Sequence, residues 1–132
     1  MSEELPAGRE LDALVAERVM GWTYQHDGLV SMRWYDAAGN PIKGYGPGEW
    51  GRSYREFAPS TDIAAAWLVV EKLIADGWFI DMTHEGTWRV RLTKHFPMKR
   101  GKWQPSLEPE AVLDVSLPLA ICRAALKAVA AP

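Results

Sequence analysis

Apolar residues recur at intervals of three and four from Arg9 to Trp22. Leu11, Leu14, Val15, Val19 and Trp22 take one side, and Arg9, Glu10, Asp12, Glu17 and Arg18 take the other. That period predicts an amphipathic helix ending near Gly21. From Leu29 to Tyr35 the period drops to two, with Val30, Met32 and Trp34 set against Ser31 and Arg33, as in a strand. Asp36 to Pro41 is a turn cluster, and a short strand is expected at Ile42 to Tyr45 before Gly44, Gly46, Gly48 and Gly51 break any regular pattern. Lys43 to Pro59 therefore reads as one long loop.

Ser60 is the expected N-cap of a second helix whose stripe is Ile63, Ala66, Trp67, Val70 and Ile74, with a stop at Asp76 and Gly77. A hairpin follows. Trp78, Ile80 and Met82 alternate with Phe79, Asp81 and Thr83, then Trp88, Val90 and Leu92 alternate with Arg89, Arg91 and Thr93, joined through His84, Glu85 and Gly86. A polar loop from Lys94 to Pro109 leads to a strand at Ala111 to Val115, with Leu113 and Val115 in the apolar phase. Ser116 then caps a last helix with Pro118 in its first turn and Leu119, Cys122, Leu126 and Val129 facing inward. The order α-β-(β)-α-β-β-β-α predicts a single α+β domain over residues 1–132, a small antiparallel sheet with helices packed on it. In it, 43–59 is a variable loop and 94–109 a basic one.

Composition narrows the class. With 132 residues, 48% hydrophobic and 24% charged, the chain is long and apolar enough for one globular core. Its longest uncharged apolar run, Ile63 to Val70, falls far short of the roughly 18 residues of a membrane span. Met1 to Arg9 carries Glu3 and Glu4 and no apolar segment of a secretory signal, so the expected compartment is cytoplasm. The single cysteine, Cys122, has no disulfide partner and reads as a small apolar core side chain. His26, His84 and His95 lie too far apart for ligand spacing, so no metal and no cofactor is expected. A phosphate loop, a dinucleotide fingerprint and a hydrolase triad are missing, and Asp81, Glu85 and Asp114 read as solvated carboxylates, so no catalytic residue is assigned.

Charge is polarised although 15 Lys and Arg nearly balance 17 Asp and Glu. From Arg89 to Trp103 there are six cations (Arg89, Arg91, Lys94, Lys99, Arg100 and Lys102) and no acid. With Phe96 and Trp103 interleaved, this stretch suits an acidic partner surface or phosphates; the plainer reading is a solubilising edge. Of the seven tryptophans, Trp22, Trp67, Trp78 and Trp88 fall on apolar stripes and read as core. Trp34, Tyr45, Trp50 and Tyr54, with Arg52 and Arg55, border the glycine-rich loop and offer stacking area and forked donors for a planar ligand. Equally, Trp50 and Phe57 read as a cover for apolar surface. Helix, three strands and helix from Ser60 to Ala131 is also the order of a double-stranded-RNA-binding domain. However, Ser116-Leu117-Pro118-Leu119-Ala120 places no cation before Arg123 to meet phosphates, and nucleic acid is discounted.

Three segments carry a family resemblance. Leu5-Pro6-Ala7-Gly8-Arg9-Glu10-Leu11-Asp12 continues to Val15, Ala16, Glu17, Val19, Met20, Gly21 and Trp22. Ser60-Thr61-Asp62-Ile63-Ala64-Ala65-Ala66-Trp67 continues to Val70-Glu71-Lys72-Leu73. The third is Pro118 to Leu126. Together they resemble the phage ABA sandwich domain family of phage and prophage proteins. The resemblance implies an α/β/α arrangement, a viral origin, the cytoplasm of a bacterial host, and no assigned reaction. Joined to the lack of catalytic motifs, it leads us to expect a non-enzymatic phage accessory protein that binds a host protein or complex, as an antagonist of host defence of the anti-CRISPR kind. The expected contact residues are Arg89, Arg91, Lys94, Lys99, Arg100, Lys102 and Trp103. The alternatives are a protein that sequesters a nucleotide-like signal on Trp34, Tyr45, Trp50, Arg52, Tyr54 and Arg55, and a structural or assembly component.

Overall fold

The computed structural model describes residues 5–27, 31–42, 46–47, 54–55, 57–95, 106–107 and 109–130. Helix α1 (Arg9–Leu14) runs into a π-helical segment (Val15–Val19). There the Met20 N–H reaches the Val15 carbonyl, five residues back, at 3.1 Å. Gly21, at φ +74°, supplies the left-handed residue that ends the helix where the pattern predicts. Leu11, Val15, Val19 and Trp22 are buried as expected, Ala16 is buried beside them, and Leu14 is only half-buried.

Strands β1 (Thr23–Asp27) and β2 (Ser31–Tyr35) form an antiparallel pair, with Tyr24 opposite Trp34. The pattern finds β2 and misses β1, because Thr23, Tyr24 and Gln25 are all exposed and leave no alternation to read. Asp36 organises the expected turn, its carboxylate accepting from the Ala38 and Asn40 N–H groups at 2.9 Å each. Beyond it the Ile42 N–H donates to the Trp34 carbonyl. Residues 43–45 of the expected short strand lie outside the described residues. Inside the expected long loop, β3 (Gly46–Pro47) pairs with β4 (Tyr54–Arg55).

Helix α2 (Ile63–Ala75) is capped by Asp62, not by Ser60. The Asp62 carboxylate accepts from the Ala64 N–H at 3.1 Å. Ser60 instead bonds back to the first helix. Its N–H donates to the buried Asp12 carboxylate at 2.8 Å, and its Oγ accepts from the Gly8 N–H at 3.0 Å. This reciprocal clasp joins the start of α1 to the turn before α2, and it explains why Asp12 is buried and not on the solvent side. The buried face of α2 is Ala65, Ala66, Val69, Val70 and Leu73. Ile63, Trp67 and Ile74 are exposed, Trp67 by 49%, so the expected stripe is turned and Trp67 is not core. Small side chains at 65 and 66 suit close approach of helices, and α2 packs against the last helix of the chain. The stop is as expected: Gly77 takes φ +97° and the Trp78 N–H closes on the Leu73 carbonyl.

The main sheet has four strands. Central β6 (Trp88–His95) pairs antiparallel with β5 (Phe79–His84) along one edge, and with β8 (Val112–Asp114) and the short β7 (Ser106–Leu107) along the other. Helix α3 (Leu117–Ala130) is capped by Ser116, whose Oγ accepts from the Leu119 N–H. It touches β6, β8, α2, α1 and the π segment. So enclosed, it buries Ala120, Ile121, Cys122, Ala124, Ala125 and Ala128, while Leu119 and Leu126 are half-buried and Val129 is exposed.

Strand β8 corrects the expected phase. Pairing Val90 with Val112 turns Val112 toward the helices and leaves Leu113 and Val115 outside. Asp114 shares the inward side because α3 brings Arg123 to it at 2.9 Å. The same guanidinium donates to the Leu5 carbonyl at 3.1 Å. The molecule is thus α+β, with stacked layers of helix and antiparallel sheet. No helix among the described residues is long and apolar enough to cross a membrane.

Candidate functional site

Strand alternation divides the sheet into two faces. Val90, Leu92 and Val112 are buried, and Ile80, Met82 and Trp88 half-buried, on the side covered by α2 and α3. The opposite face is open to solvent. Register sets Phe79 opposite Thr93, Asp81 opposite Arg91 and Thr83 opposite Arg89, with Arg89 also opposite Leu113. Phe79 and Leu113 are each 64% exposed and Val115 is 79% exposed. Single exposed apolar side chains need no explanation; three beside two arginines on one small sheet mark a surface suited to contact. Neither Arg89 nor Arg91 makes an ion pair with a described residue. Next to Arg91 lies a depression of about 170 Å³ lined by Arg91, Thr93, Pro109 and Ala111.

The expected basic patch is split by this alternation. Arg89 and Arg91 sit on the open face, whereas the Lys94 ammonium lies 5.5 Å from the Trp78 ring centre and its chain is half-buried. Lys99, Arg100, Lys102 and Trp103 lie outside the described residues, as do Tyr45, Trp50 and Arg52. Tyr54 and Arg55 form β4. Trp34 is half-buried within an aromatic group, 4.8 Å from Tyr24 and 6.4 Å from Trp22 between ring centres. Phe57 is buried against Trp22 at 4.6 Å, so this loop aromatic does cover apolar surface. Phe79, Leu113 and Val115 are not anticipated from the sequence as surface residues, nor are Thr93, Pro109 and Ala111 of the lining, whereas Arg91 is. A signal for them exists: Phe79 has the parity that register aligns with Arg91 and Thr93.

Cys122 is buried in α3. Burial, and secondarily the charge of Asp12, pushes its thiol well above the ordinary value of 9.0. The native thiol is expected to resist alkylation at neutral pH and to react on unfolding. The folded chain keeps a proton that the unfolded chain releases, so this contribution to stability is complete below the ordinary thiol value and is lost as pH rises beyond it, by up to about 1.4 kcal/mol per pH unit. Urea unfolding at pH 7.5 and 9.5 checks this; the extra loss at high pH should vanish in Cys122→Ala. Among the described residues, no three His, Cys, Asp or Glu side chains group closely enough to hold a metal ion.

Fold and surface together define an α+β domain whose helices back a small antiparallel sheet with one open face. The chain belongs to the phage ABA sandwich domain family, whose profile matches residues 13–126. No curated protein and no solved structure matches the chain.

Proposed function

We propose that this phage protein is a non-enzymatic accessory protein that docks on a host protein through the open face of its main sheet, and that the docking blunts a host defence. The observation that carries the reading is the juxtaposition of Phe79, Leu113 and Val115 with the arginines Arg89 and Arg91. Apolar area supplies burial, and arginine supplies forked, charge-assisted contacts of the kind enriched at the energetic centre of an interface. Membership in a phage family supports the viral half of the reading. In the sequence, the cations Lys99, Arg100 and Lys102, with Trp103 beside them, follow β6.

The test is affinity capture from host lysate with the native chain and with Leu113→Asp. A charge set among apolar contacts should remove the captured protein while leaving the melting transition within about 0.5 kcal/mol, as for other exposed substitutions. Equal capture by both chains overturns the reading. A nucleotide retained by the purified protein in native mass spectrometry would instead support sequestration by the residues around Trp34.

A further inference from the structure

We infer that the depression beside Arg91 takes a side-chain carboxylate, a Glu or Asp carried on an otherwise apolar protein segment; this rests on reading the open sheet face as the docking surface. Three observations select that chemistry. Arg91 presents an exposed guanidinium from the central strand, without an ion pair to a described residue, at the wall of a depression of about 170 Å³. Guanidinium binds carboxylate as a fork, and Thr93 in the same lining adds a hydroxyl donor. The volume is below the roughly 300 Å³ at which small-molecule pockets begin, so it fits a side-chain end and not a nucleotide.

Its surroundings decide between a protein and a nucleic acid. Next along the same face, outside the lining, Leu113 stands opposite Arg89, is aliphatic and largely exposed, and matches an apolar side chain rather than a phosphate backbone. Asp81 stands directly opposite Arg91 in register and repels a run of phosphates, while a single carboxylate can meet Arg91 from the other side. Strand alternation also sends Lys94 to the Trp78 side, so β6 adds no third cation here. Among the described residues, the face therefore has the charge pattern of a site for one acid beside apolar contacts, not of a polyanion track.

The full-length ¹⁵N-labelled chain would be titrated with three probes: a blocked pentapeptide with glutamate between two leucines, its glutamine counterpart, and an eight-residue oligothymidylate. The glutamate peptide should shift the Thr93 and Ala111 amides and the Arg91 side-chain signal, and bind about tenfold tighter than the glutamine peptide, as expected for one charge-assisted contact. Arg91→Gln should erase that preference, and Arg89→Gln should keep it. Equal binding of the two peptides on the open face would overturn the carboxylate assignment while leaving the docking face standing. Oligothymidylate shifting these signals more strongly than the glutamate peptide would overturn it in favour of nucleic acid. If no probe shifts an open-face signal, the assignment falls whatever the Leu113→Asp capture shows.

Discussion

Trp22→Ala is expected to destabilise the protein by about 3 to 5 kcal/mol, the range for removing a buried large aromatic. Trp22 is the pivot of the first half of the chain. It follows the glycine that ends the π segment, immediately precedes β1, and has its indole buried against Phe57 and near Trp34. Its removal takes away the surface on which the β1–β2 pair and the segment leading to α2 meet. Urea denaturation followed by tryptophan fluorescence would measure the loss. A shift under about 1 kcal/mol would mean that this aromatic group carries little of the fold.

Ile121→Ala should cost about 2 to 5 kcal/mol, since it opens a cavity in a helix enclosed on several sides. Trp67→Ala is the informative contrast. Its ring is much larger, yet half of it faces water, so its truncation should cost clearly less than that of Ile121. Measuring both by thermal unfolding tests the orientation of α2 on α3 directly. If Trp67→Ala proves the more damaging, the helix is turned the other way.

That contrast also marks where the sequence could be read and where it could not. Element types follow from periodicity wherever one face is buried: α2, the β5–β6 hairpin and α3 lie where the spacing puts them. Phase is harder when both sides of an element carry apolar residues. Around β8, Leu113 and Val115 outnumber Val112, but the inward side is settled by Val90 across the ladder and by Arg123 bonding to Asp114. In α2, tryptophan and isoleucine offer far more apolar area than alanine, whereas close approach to α3 favours alanine. Ser60 satisfies every local rule for a helix cap, and only the distant Gly8 and Asp12 reveal its other use. The cations of 89–102 are legible as a group; the division of Arg89 and Arg91 from Lys94 between two faces becomes visible only once the parity of β6 is fixed against its neighbours.

The placement of α3 sets the order in which a newly made chain can mature. It is the last described element to leave the ribosome, and it is the one against which α1, α2 and the sheet all close. Until it emerges, Val90, Leu92 and Val112 have no lasting cover, and Asp114 and the Leu5 carbonyl lack the guanidinium that ties them together. Domain folding during synthesis generally begins from the N-terminal side, but here a chain halted before residue 117 holds every described strand and no finished core. Such fragments are expected to be cleared by proteases or to aggregate through the uncovered sheet, so that only chains translated through α3 accumulate.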